Sequence, residues 1–138
     1  MGQGFPIRLR SYPNVMAAAV SCMGCHDFST KHSRKAVGQQ CLACHDEAYT
    51  AFVEEWTTGF DKQMDQPTKA LKQAEAALRK SHRAGRTTPG AEGLMKDTPR
   101  ALALAKGLRG VHNPDAADAL LEAAGRGTEE AVAQIGRQ

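Results

Sequence analysis

Four cysteines and two histidines stand in one pattern that occurs twice: Cys22-Met23-Gly24-Cys25-His26 and, 19 positions later, Cys41-Leu42-Ala43-Cys44-His45. Two thiols separated by two residues and followed at once by an imidazole are the arrangement that attaches a haem covalently. Each thiol adds across one vinyl group, and the imidazole is placed to ligate the iron from one face. The chain has 4 cysteines, so both motifs together use all of them. The expected cofactors are therefore two covalently bound c-type haems, held by Cys22, Cys25, Cys41 and Cys44, with His26 and His45 on iron.

Two Cys-x-x-Cys pairs 15 residues apart are also the spacing of a four-thiolate zinc site. The histidines separate the two readings. A tetrathiolate site has no use for an imidazole directly after each second cysteine, whereas haem attachment requires one there. With 5 His in 138 residues, two such placements by chance have odds of about one in a thousand. Two disulfides are the remaining alternative. No βαβ pattern surrounds the pairs, so a redox-active dithiol is not indicated.

A haem held by one histidine leaves the opposite face of its iron open, and His32, His82 and His112 are the spare imidazoles. His32 stands nine positions before Cys41, and even partly extended residues span about 3 Å each, enough to carry its ring round the edge of the second haem. His112 immediately precedes Asn113, a helix N-cap candidate, which would fix its ring direction; by elimination it goes to the first haem. His82 lies among Lys80, Arg83 and Arg86 at a helix end, where positive groups are favoured without any ligand role. Which of the three serves which haem stays open, and Met16, Met64 and Met95 remain alternative ligands.

The elements that must position these groups are helical. Residues 1–21, with Gly2, Gly4, Pro6 and Pro13, read as an irregular lead-in, and residues 22–46 as a compact haem-attachment region in which Asp27 and Asp46 come directly after the two motifs. Tyr49, Phe52, Val53, Trp56 and Phe60 then recur at steps of three and four, the face of a helix over about 47–65 that would serve as core or roof the second haem. Pro67 is expected to end or kink it, with Leu71, Ala74 and Leu78 inward over 68–84 and Gly85 closing it. Residues 85–96 read as a loop. Thr98-Pro99 then opens a helix to about Leu108 with Leu104 and Leu108 on one face. Asn113-Pro114-Asp115 opens another with Ala117, Leu120, Leu121 and Ala124 inward, until Gly125, and Thr128 begins a short last one to Ile135. No alternating stretch argues for a strand. The expected fold is all-α: an irregular haem-binding N-terminal part leading into about four helices packed as antiparallel hairpins around two haems, one domain over 1–138 with its helical part at 47–138.

Length and composition fit that reading. At 138 residues one core is expected. Its large aromatics are few, 4 Phe, 2 Tyr and 1 Trp, so a core built from side chains alone would be thin, and the fold is expected to depend on haem. The net charge of +3 is small, and the basic residues from Lys62 to Arg86 alternate with Asp61, Asp65 and Glu75 as on a solvated helix face, which argues against a nucleic-acid partner. No apolar run approaches the ~18 residues that span a membrane. Arg8, Arg10 and Val15 to Val20 fall short of a signal peptide, so the chain is expected to be a mature protein or an excised part of a larger one.

With both motifs and Gly110-Val111-His112-Asn113-Pro114 in view, residues 14–124 resemble the C-terminal part of bacterial multihaem cytochromes c. A similar His-Asn-Pro helix start occurs near the end of pentahaem cytochrome c nitrite reductases. The resemblance implies electron transfer in the periplasm or another extracytoplasmic space. It also implies other redox proteins as partners (cytochromes, reductases or oxidases), which can themselves be membrane-associated. Nitrite reductases use a lysine-ligated active haem, and neither motif here ends in lysine. The expectation is therefore an electron relay with histidine on both faces of each iron, and not an enzyme. The alternative is a multihaem reductase or haem sensor with one open iron site for nitrite, hydroxylamine, peroxide or a gas.

Overall fold

The computed structural model describes residues 18–26, 29, 33–108 and 113–137. Two short helices, α1 (Cys22–Cys25) and α2 (Arg34–Gln40), and a 3-10 turn (Cys41–Ala43) precede three long helices: α3 (Ala48–Arg83), α4 (Pro89–Leu108) and α5 (Pro114–Gly136). Among the described residues there is no strand, in keeping with the all-α class. The lead-in through residue 17 lies outside the described residues.

Helix α3 has 36 residues, a length of about 54 Å at the usual rise. It runs through Pro67, where the sequence predicts an end or a kink. An interior proline removes one backbone bond and costs about 3 kcal/mol. That cost is offset by burial on both sides, because Phe60 and Met64 before it and Leu71 and Ala74 after it all belong to the core clusters. Beside the proline ring, Thr68 Oγ1 donates to the Met64 carbonyl at 2.6 Å. The helix closes as its sequence suggests: Gly85 takes φ 74° and donates its N–H to the His82 carbonyl at 2.9 Å.

Three boundaries differ from the sequence reading, each for a reason of packing. Helix α4 begins at Pro89, so the proline-at-first-position signal is Thr88-Pro89, and the segment read as a loop to Lys96 is mostly helical. Thr98, read as an N-cap, lies inside α4 and donates Oγ1 to the Leu94 carbonyl at 2.9 Å. Leu104, expected inward, is 54% exposed, and Leu102 is buried in its place. Helix α5 starts where expected, with Asn113 Oδ1 accepting from Ala116 N at 3.0 Å. It then passes Gly125 without stopping and absorbs the segment from Thr128, so two expected helices are one.

What carries both helices through their breakers is a shared seam. Ala91, Met95, Thr98, Leu102 and Ala105 on α4, and Ala117, Leu121, Ala124, Thr128, Ala131 and Ile135 on α5, are all buried. Both series alternate steps of four and three, the 3.5-residue repeat that keeps one face against a neighbour. One cluster joins Phe60 to Ala101, Leu102 and Ala105 and to Ala117, Leu120, Leu121 and Ala124. The other joins Ala74 to Ala91 and Met95 and to Ala131 and Ile135. The end of α4 thus lies beside the start of α5, and the two run in opposite directions. Alanine lets the helices approach closely. At Gly127 there is no room for even a methyl group, since a Cβ there would stand 2.8 Å from Thr98 Oγ1. The core is thin in volume, as the composition implies, yet it closes among α3, α4 and α5 with no residue of either cysteine motif in it.

Candidate functional site

The two cysteine motifs fold alike. Cys22 to Cys25 form one helical turn, and the His26 N–H donates to the Cys22 carbonyl at 2.9 Å. Cys41 to Ala43 form a 3-10 turn, and the His45 N–H donates to the Cys41 carbonyl, also at 2.9 Å. Residues three apart on one turn are neighbours on its surface, so each closure sets two thiols side by side with an imidazole one residue beyond. A Cβ at Gly24 would meet the Val20 side chain, which would have to move to admit it. The second turn is delivered by α2, which Ser33 caps by accepting from Ala36 N at 3.1 Å.

No two of the four cysteines are joined in a disulfide; Cys22 and Cys44 are exposed and Cys25 and Cys41 partly buried. Burial, and then the nearby Cys25 thiol, push the Cys41 thiol above its ordinary range. Among the described residues no three His, Cys, Asp or Glu side chains gather as they would around a metal ion.

His45 opens onto the start of α3. Asp46 Oδ1 accepts from Ala48 N at 3.1 Å, and Tyr49 N donates to the Asp46 carbonyl at 3.1 Å, which pins the first turn of α3 directly after the motif. The Tyr49 ring stacks on the His45 imidazole, centroids 3.8 Å apart and planes 6° from parallel. Trp56 meets Tyr49 edge-on at 5.9 Å and 87°, and Phe52 does so at 6.3 Å and 63°. The stripe seen in the sequence divides here. Phe60 is in the core, whereas Phe52 is 50% and Trp56 42% exposed. The same face of α3 is covered by helices from Phe60 onward and is left open by the described protein over its first three turns. Sequence reasoning found the stripe but not the stack; its signal is an aromatic residue four positions after His45, inside the first helical turn.

Of the spare ligands, His32 and His112 lie outside the described residues, as do Asp27 and Met16. His82 sits in the last turn of α3, where its Nε2 is 2.9 Å from Glu92 Oε1 on α4, a link between two helix ends. Met95 is buried in one core cluster and Met64 packs against the other, which gives both a packing role. No described helix is long and apolar enough to cross a membrane. In comparisons with family models, with curated proteins and with solved structures, nothing matches this chain.

Proposed function

We propose that this chain is an electron-relaying c-type cytochrome, or a domain of a larger multihaem one. One haem is held by Cys22 and Cys25 with His26 as iron ligand, and a second by Cys41 and Cys44 with His45. The observation that carries the reading is the duplicated turn: two separate stretches of sequence close the same backbone bond, from the histidine N–H to the first cysteine carbonyl, and each leaves a thiol pair beside one imidazole. That donor set fits haem and leaves no cysteine over. The open aromatic face of Tyr49, Phe52 and Trp56 beside His45 supports it further, being the kind of surface that a flat apolar group covers. When bound, haem supplies a one-electron couple between ferric and ferrous iron.

The chain's own residues anchor, orient and desolvate that group. His32 is proposed for the open face at the second site and His112 for that at the first. Partners are other redox proteins, in the periplasm or another extracytoplasmic space where thioether attachment takes place. Intact mass under denaturing conditions should exceed that of the polypeptide by two haems, with low-spin spectra in both oxidation states; a mass equal to the bare chain would overturn the reading. Rapid stoichiometric carbon monoxide binding to one ferrous haem would replace the relay by the open-iron reductase or sensor.

A further inference from the structure

The two motifs share the backbone bond from histidine N–H to first cysteine carbonyl but differ in the residues beyond their histidines. Four positions after His45 stands Tyr49, whose ring lies 3.8 Å from the imidazole and 6° from parallel to it; four positions after His26 the residue is Thr30. Tyr49 has two further aromatic neighbours. Its edges are bracketed by Trp56 and Phe52, which lie 6.4 Å apart, and its backbone is tied to Asp46. All three rings project from α3, whose later turns are anchored in the core.

From this we infer that Tyr49, braced by Phe52 and Trp56, is a positioning residue that fixes the ring plane of His45 and so holds the ligand of the second iron site at one angle. The inference rests on the haem reading above. The planes of an iron's axial imidazoles set the splitting between the two d orbitals of π symmetry about the iron–nitrogen bond, so a ring held at one angle would give a well-defined low-spin electron paramagnetic resonance signal. Ligand-orienting neighbours of this kind act without touching the metal.

The test uses the oxidised, haem-loaded full chain and compares Tyr49→Phe, Tyr49→Leu and Tyr49→Ala with the parent. Tyr49→Phe keeps the flat face and should preserve both low-spin signals. Tyr49→Leu keeps apolar bulk without a flat face, and it should move or broaden one signal while leaving the other in place, as should Tyr49→Ala if that variant assembles. The reduction potential of one haem should shift with the same variants. Two haems by mass with both signals unchanged in Tyr49→Leu would overturn the inference alone, and so would equal shifts in both signals or a Tyr49→Phe variant that behaves like Tyr49→Leu. A parent chain without two haems would overturn the functional reading, and the inference with it.

Discussion

The four thiols share one chemistry but not one environment, and reactivity should show it. Thiolate is the nucleophile, and burial with the adjacent Cys25 raises the Cys41 thiol. The folded chain thus holds this proton more firmly than the unfolded one; the associated stability is complete below the ordinary thiol value and is lost as pH rises through the raised one. In chain produced without haem attachment, iodoacetamide at about pH 7 should label exposed Cys44 well before Cys41, and the gap should narrow by about pH 9.5. Peptide mapping by mass reads both, and equal rates at the lower pH would remove Cys41 from its sheltered position. The histidines divide in a similar way. His82 faces Glu92 with both side chains nearly half exposed, and pairs of that kind contribute about 0.2–1 kcal/mol. His82→Ala should therefore lower stability by less than about 1 kcal/mol and leave the optical spectrum unchanged. His32→Ala or His112→Ala should each convert one haem from low-spin to high-spin. A high-spin band in His82→Ala beside a normal His32→Ala would reverse that assignment.

At the scale of the elements, local signals are legible where the chain starts and stops freely and fail where a neighbouring helix decides. The Asn113-Pro114 start, the Gly85 stop and the inward set Ala117, Leu120, Leu121 and Ala124 can all be read from residue chemistry. The breaks expected at Pro67, Thr98-Pro99 and Gly125 do not occur, because single-residue propensities of about 1 kcal/mol for glycine and about 3 for proline are outweighed by a buried seam on either side. The seam is present in the sequence as alternate steps of four and three, but five of its eleven residues are alanine, which carries little hydrophobic contrast, and the pattern is easily passed over. Its closeness makes two neighbouring glycines behave oppositely. Nothing lies within 4 Å of a Cβ at Gly125, whereas one at Gly127 meets Thr98 Oγ1 at 2.8 Å. Gly125→Ala should stabilise the fold by up to about 1 kcal/mol through helix propensity. Gly127→Ala should lose that gain to overpacking of about 1–3 kcal/mol. Thermal melts would show it, and adding Thr98→Ala should recover part of the loss; equal stabilisation by both glycine replacements would mean that α4 and α5 are further apart than this contact requires.

For the molecule as a whole, α3 joins two regions with different sources of order. Its first three turns carry Tyr49, Phe52 and Trp56 out beside the motifs, and its remainder packs with α4 and α5. The attachment chemistry is readable from six residues because it depends on local spacing alone. The division is not, because it depends on which aromatics find protein partners, and the sequence shows Trp56 and Phe60 as members of one stripe although only Phe60 is buried. The division also gives the expectation that the fold depends on haem a test for each region. Among the described residues every buried hydrophobic one lies between Phe60 and Ile135, so no residue of the attachment motifs contributes to that core. It remains thin, with Leu120 and Ser81 its largest fully buried side chains, and small cores are marginal. A chain with all four cysteines replaced by alanine should therefore keep the circular-dichroism signature of the three long helices and melt cooperatively at a low midpoint, while limited proteolysis cuts first on the N-terminal side of Phe60. Loss of helicity throughout would show that the bundle takes its stability from the haem region after all; protection extending into residues 22–46 would show that the motifs are ordered by the polypeptide alone.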